Sequence, residues 1–204
     1  IKNVLQVPGN TNDEILKNYS NEIVNEYKSS YISIKKYKGF YVGRYEIGGT
    51  IDSPMVKKGQ KVLTNQNWYG LKKACNNLVN TKTAQSLMIF GNQWDEIISW
   101  IIKTNTKTNE QVNIDSSSWG NYKNGQEEGV KRTSGYNDSW KVNNIYDLAG
   151  NCWEWSQEAY DIGARVHFGG CYNNTGTACA AIRNSNGAYA SHDDLSTRAV
   201  LYIK

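Results

Sequence analysis

The stretch VNNIYDLAGNCWEW, Val142–Trp155, constrains the fold of this 204-residue chain more than any other. DLAGN reads as a tight turn: Gly150 supplies a backbone conformation that other residues resist, and Asn151 tolerates it. CWEW then reads as a strand. Side chains alternate across a strand, so Trp153 and Trp155 share one face while Cys152 and Glu154 share the other. A carboxylate among aromatics must be paired, hydrogen-bonded or metal-bound, because an uncompensated buried charge is unfavourable. Backbone N–H groups or a cation would both serve Glu154, and the residues alone leave the two open.

Around this block the chain changes character from front to back. NDEILKNYSNEIVNEYKSSYISIKKYKG is predicted helical, with Ile15, Tyr19, Ile23, Val24 and Tyr27 at three- and four-residue steps and Gly39 as the stop. FYVGRYEI, Phe40–Ile47, reads as a strand, and Gly48, Gly49 and Pro54 mark a loop. A second helix is predicted over Asn67–Val79, with Trp68, Leu71, Cys75 and Leu78 in one stripe and Cys75 as a core residue. SLMIFGNQWDEIISWIIK turns from a short strand into a third helix, with Trp94, Ile97, Ile98 and Ile101 inward. Thr104–Val142 is polar and reads as a long surface excursion anchored by Trp119, Tyr122 and Trp140. Short strands follow in CWEWSQEA, RVHFGG, AAIRN and TRAVLYIK. Helices come early and short antiparallel strands late: an α+β fold, with residues 1–204 as a single domain.

Composition excludes some functions. The net charge of +4 is scattered with no Lys/Arg block, which argues against a nucleic-acid partner. No apolar run approaches the roughly 20 residues of a membrane span. The chain opens on Ile and carries no signal-type segment, as a trimmed or mature product would. Seven Trp and 14 Tyr against three Phe suit either a ligand-facing surface or a rigid, turn-rich fold. Four cysteines, Cys75, Cys152, Cys171 and Cys179, form neither a dense disulfide framework nor a CxxC metal knuckle. Pairing of Cys171 with Cys179 is compatible with their spacing and stays open.

VNNIYDLAGNCWEW, followed by RVHFGGCY, the Arg of AAIR and the closing STRAVLYIK, resembles the formylglycine-generating-enzyme-like family, also called sulfatase-modifying factor domains. KGFYVGRYEIGG and GNQWDEIISWI resemble that family's opening strand and tryptophan-bearing helix, so the likeness covers Tyr37 to Lys204. It implies a C-type-lectin-like fold of the formylglycine-generating-enzyme-like subclass. It also implies a calcium site in the turn, with the Asp147 side chain, the carbonyls of Gly150 and Cys152, and Glu154 as ligands. Oxygen-only donors suit Ca²⁺. No cofactor is required beyond that structural ion. The family's copper oxidases need cysteines four and nine positions after the Gly-Gly pair; here Cys179 holds the ninth and Asn174 the fourth. With one thiolate missing, that two-sulfur site cannot form, and the expectation is no enzyme. His167, Cys171, Cys179 and His192 are zinc-type ligands but match no recurrent spacing, and nucleophilic catalysis would depend on those same two histidines.

From Ala159 to Ile203 the chain holds no Lys, Glu, Gln, Met or Trp, whereas residues 1–158 hold 44 of them. At that rate about a dozen are expected in the silent window. These five are the types that no codon ending in a pyrimidine specifies, so a gene segment of AAC or AAT codons mutated at its adenines reaches only the other fifteen. Diversity-generating retroelements diversify their target proteins in this way, and those targets commonly end in a domain of this family. The resemblance therefore implies a variable ligand-binding region over about 165–198. It would comprise His167, Phe168, Cys171, Tyr172, Asn173, Asn174, Thr175, Ala178, Cys179, Ile182, Asn184, Asn186, Tyr189, Ser191, His192, Asp193, Asp194, Ser196 and Thr197. A frame of Trp94, Trp100, Trp153, Trp155 and the first and last strands would hold it. Tyr offers contact area at low entropy cost and Asn, Ser and Gly adapt hydrogen bonds, as binding surfaces require. The expected partner is a protein or glycan on another cell or host surface, and the expected location is extracellular, on a bacterial surface or phage tail, either as monomer or oligomer. The alternative readings are a non-diversified structural or surface module of the same family and, against the missing thiolate, a copper-dependent formylglycine-generating oxidase.

Overall fold

The computed structural model describes residues 14–125, 129–161 and 163–204, with side chains from residue 20 onward. The side chains of Ile15 and Tyr19, and Asn12 and Asp13 at the head of the predicted first helix, lie outside the described residues. Helix α1 (Glu14–Tyr37) buries Ile23 and sets Tyr27 edge-on to Phe90 at 5.3 Å. It ends one residue sooner than the glycine suggested. Lys38, not Gly39, takes the left-handed conformation (φ 63°), and its N–H closes on the Ile34 carbonyl at 2.8 Å. Helix α2 (Trp68–Leu78) begins where Asn67 Oδ1 accepts from the Gly70 N–H at 3.0 Å, as a capping Asn should. Buried Lys72 ties α2 to α1 by ion pairs to Glu22 (2.5 Å) and Glu26 (2.8 Å). Helix α3 (Gly91–Lys103) buries Trp94, Ile97, Ile98 and Ile101, as its periodicity predicts. A short helix α4 (Asn109–Asn113) interrupts the polar excursion, whose three aromatic anchors, Trp119, Tyr122 and Trp140, are all buried.

Two sheets organise the rest. Strands β1 (Tyr41–Val42), β4 (Ala84–Met88) and β11 (Ala199–Ile203) form an antiparallel sheet in the order β1-β11-β4, joining the early chain to its end. The predicted strand over Phe40–Ile47 is much shorter than expected. Beyond Gly43 the chain leaves the ladder, and Glu46 and Ile47 turn into the core. Gly48–Gly49 (β2) and Pro54–Met55 (β3) pair as a small hairpin where a loop was expected, and Lys141–Val142 (β5) pairs with Ile145–Tyr146 (β6). The second sheet runs β10-β7-β8-β9: β7 (Trp153–Ala159), β8 (Ala164–Phe168), β9 (Arg183–Gly187) and β10 (Leu195–Thr197). Here β10 lies parallel to β7. The expectation of purely antiparallel late strands fails because the chain circles through β8, β9 and a long loop before returning to the far side of β7.

Both faces of this second sheet are covered. Trp94 of α3 stacks on Phe168 on one side (5.0 Å), and Trp68 of α2 lies 5.0 Å from the Arg165 guanidinium on the other. Six of the seven tryptophans are buried, so indole enrichment serves the core and not a ligand. Trp100 is the exception at 45% exposure and does not belong to the frame. Six residues beyond Trp94, it lies about 240° around the helix, off the inward stripe.

Candidate ligand-binding surface

The turn at the head of β7 is built as its residues require. Asp147, Gly150 and Asn151 all take left-handed backbone angles, φ 60°, 75° and 59°. A Cβ on Gly150 would sit 2.1 Å from the Asn121 main-chain oxygen, so only glycine fits. Asn151 works in three directions: Oδ1 accepts from Asn121 Nδ2 and the Arg132 N–H, both at 3.0 Å, and Nδ2 donates to Glu46 at 2.6 Å. Glu46 also accepts from the Cys152 N–H at 3.2 Å.

Glu154 finds its partner in Arg198. The guanidinium donates from Nε to Oε2 (2.9 Å) and from Nη2 to Oε1 (2.5 Å), and its remaining donors reach the Gly43 and Tyr146 carbonyls, both at 2.8 Å. Asp147 Oδ2 accepts from Ser134 Oγ (3.0 Å) and the Gly135 N–H (2.7 Å). Glu46, Asp147 and Glu154 are thus three buried carboxyls around one buried guanidinium. Burial, foremost, raises the pKa of all three, with Asp147 adding repulsion to Glu46 and Glu154. Both oxygens of Glu154 already face a fixed positive charge, which a cation at the implied ligand set would have to displace, while Asp147 Oδ1 is buried with no hydrogen-bond partner. Glu46 and Arg198 are absent from the sequence-based site. A signal for Arg198 existed, because it lies in STRAVLYIK, one of the segments that carry the family resemblance.

The expected variable residues divide into two groups. His167, Phe168, Cys171, Cys179, Ser196 and Thr197 are buried and correct the expectation of a wholly exposed set. His167 is wedged edge-on between Trp153 (4.6 Å) and Trp155 (5.1 Å), and burial lowers its pKa to about 4, leaving a neutral imidazole. Thr197 Oγ1 donates to the Trp155 carbonyl at 2.7 Å. All four cysteines are free thiols, so Cys171 and Cys179 are not paired. Burial pushes the Cys171 thiol up to about 12. Among the described residues His167, Cys171, Cys179 and His192 form no metal-binding group.

The other group reaches the surface. Asn173, Asn184, Tyr189, Ser191, His192 and Asp193 are exposed; Tyr172, Asn174, Thr175, Ala178, Ile182, Asn186 and Asp194 are half-buried. The loops carrying them are tied to the scaffold through their main chains at several points. Tyr122 Oη donates to the Gly169 (2.7 Å) and Ala178 (2.9 Å) carbonyls, and Trp94 Nε1 donates to the Ala180 carbonyl (3.0 Å). The N–H groups of Lys123, Asn65, Trp68 and Trp153 donate to the carbonyls of Asn174, His192, Ala188 and Asp194 at 2.8–3.1 Å. Lys131 Nζ donates to the Asp193 carbonyl at 2.7 Å. Side chains contribute as well: Tyr172 Oη donates to Asp193 (3.1 Å), Asn174 Oδ1 accepts from the Cys171 N–H (3.1 Å), Lys131 Nζ lies 3.8 Å from the Asp193 carboxylate, and the Tyr189 ring leans on Tyr69 (5.2 Å). Asn184 and Asn186 lie on β9, the sheet edge, where their side chains accept from the following N–H groups of Ser185 (2.8 Å) and Gly187 (2.9 Å).

No protein-family model matches the sequence, and no curated protein sequence matches it. Solved structures do match the fold. The structure of PvdO from Pseudomonas aeruginosa superimposes with TM-score 0.55 at 12% identity, over 80% of this chain and 80% of that one. Treponema denticola variable protein 1 gives 0.51 at 15% identity, over 75% and 76%. The fold is C-type-lectin-like. The crystal structure of CarF gives 0.47 at 14% identity, over 88% and 83%. Within this C-type-lectin-like frame, no helix among the described residues is long and apolar enough to cross a membrane.

Proposed function

We propose that this chain is a non-enzymatic, diversified ligand-binding module of the formylglycine-generating-enzyme-like subclass, whose exposed side chains between Tyr172 and Asp194 grip a protein or glycan outside the cell. The observation that carries the reading is the way the surface is held. Scaffold side chains and N–H groups bond to the main chain of the loops, and these bonds stay available whichever side chains the loops present. A solved neighbour in fold is described as a variable protein, which agrees with this use of the scaffold. Asn174 at the place of the copper oxidases' first cysteine supports binding over that chemistry, because one thiolate alone cannot make the two-sulfur site. A module displayed on a phage tail or bacterial surface would use such a face for attachment.

The coding sequence tests the proposal. Codons for Thr175, Ala178, Ile182 and Ser191, the surface-reaching positions whose third base the genetic code leaves free, should all end in C or T. A near-copy of the segment should lie nearby in the genome, differing only where the copy has adenine. Codons ending in purines at several of these positions would remove the basis of the reading.

We further propose that Arg198 takes the charge-balancing place of a calcium ion. Chelation with EGTA should then shift the melting temperature by less than about 1 °C, and millimolar calcium should not raise it. A rise of several degrees with calcium would restore a metal to the turn.

A further inference from the structure

Arg165 is fully buried, yet its Nε, Nη1 and Nη2 atoms all lack a hydrogen-bond partner. Arg198, equally buried, satisfies its guanidinium with Glu154 and two carbonyls, which shows what this fold does with an arginine it keeps for structure alone. Arg165 sits in mid-sheet on β8, paired with Ala159 on one side and Asn186 on the other. Its guanidinium lies over the Trp68 ring at 5.0 Å, and that ring is fixed by an Nε1 bond to the Ser156 carbonyl at 2.7 Å. A cation–π contact compensates only part of the lost hydration of a buried charge and leaves every N–H donor unused. Asp161 attracts the guanidinium from a distance. Its Oδ1, however, is held by the N–H groups of Gly163 and Ala164, both at 2.7 Å, in an exposed turn.

The neighbourhood belongs to the proposed binding face. Tyr69 is close enough to interact with the guanidinium, its ring meets Tyr189 at 5.2 Å, and Tyr189 is 69% exposed. Asn186, the cross-strand partner, is half-buried and among the outward residues. Through Tyr69 and Asn186 the unpaired guanidinium thus borders the aromatic and amide side chains of the proposed face. Fork-shaped donors match a planar carboxylate in charge and geometry, and one monoanion neutralises one guanidinium where a phosphate dianion would overshoot. Because the guanidinium is covered, the entering group must be slender. An acidic side chain on a methylene stem meets that requirement better than a sugar ring.

We propose that Arg165 is the anchor of the ligand-binding surface, taking the carboxylate of an acidic side chain on a protein ligand. This inference rests on the ligand-binding reading of the face and narrows its ligand. Burying a charge with no partner destabilises the free protein, a cost that a binding site retains and a purely structural position has no reason to keep.

Acetate serves as the probe, with thermal unfolding and tryptophan fluorescence of the full chain followed in sodium acetate and in sodium chloride at matched ionic strength, pH 7. Acetate should raise the melting temperature by about 3–5 °C at the highest concentrations, and saturably, while chloride should not. Arg165→Met should melt higher than the parent chain in chloride and lose the acetate response. Asp161→Asn keeps the turn's acceptor while removing its charge, and should bind acetate about threefold more tightly; it keeps the test decisive should Arg165→Met fail to fold. Identical acetate and chloride curves in the parent chain, or an Arg165→Met chain that still responds, would overturn the assignment. Glucuronate binding more than tenfold tighter than acetate would overturn the choice of an acidic side chain. Acetate insensitivity with the pyrimidine-ending codons present removes the anchor alone; purine-ending codons beside a working acetate site remove the diversification alone.

Discussion

Arg198→Met is expected to cost about 3–5 kcal/mol of folding stability, because it leaves Glu154 buried with no counter-charge beside Asp147 and Glu46. Methionine fills most of the volume, so the loss measures the electrostatics and four hydrogen bonds and not a cavity. Acid should relieve part of it. A buried carboxyl whose folded pKa lies above its unfolded value, near 4.3, binds a proton in the folded state first. Stability is therefore gained as pH falls through the folded value and levels off below the unfolded one. With the guanidinium gone those folded values rise further, so the gap between variant and parent should be larger at pH 8 than at pH 5. Urea denaturation at the two pH values measures it. A gap under 1 kcal/mol at pH 8 would mean that the three carboxyls are already neutral and that Arg198 is not what balances them.

Phe168→Ala is expected to cost a further about 3–5 kcal/mol in its own right, although its codon class groups it with the variable residues. Its ring is fully buried, stacked on Trp94 at 5.0 Å, with the Arg183 guanidinium 4.9 Å from the ring centroid. Alanine at Asn173, Ser191 or His192, all exposed, should change stability by less than about 0.5 kcal/mol. The contrast decides whether the silent window is one functional surface or a surface laid over a core. Comparable losses at His192 and Phe168 would show that the outward loops are structural, and the binding proposal would fail with them.

The difference between these two sites bears on how far reading along the chain can go. Helices α2 and α3 and the turn into β7 were legible because local physics specifies them. Asn67 caps, apolar residues recur at helical steps, and only glycine fits where Gly150 passes Asn121. Where tertiary pairing outweighed local preference, the reading failed: Phe40–Ile47 has strand-like composition, yet most of it leaves the sheet to carry Glu46 inward. Trp100 reads as a scaffold residue by type alone, and only the helix phase moves it out of the core.

By itself, the sequence determined which residue types the last quarter of the chain admits, where the tight turn falls, and that Glu154 needs a partner. Tertiary structure alone decided that the partner is Arg198, 44 positions away. It alone decided that His167, Phe168, Cys171, Cys179, Ser196 and Thr197 face inward. The reason is geometric. Alternation along a strand says which side chains share a face, but not what covers that face, and here α2 lies over one side of the sheet and α3 over the other. Burial, and with it the division between frame and gripping surface, is set by those distant helices.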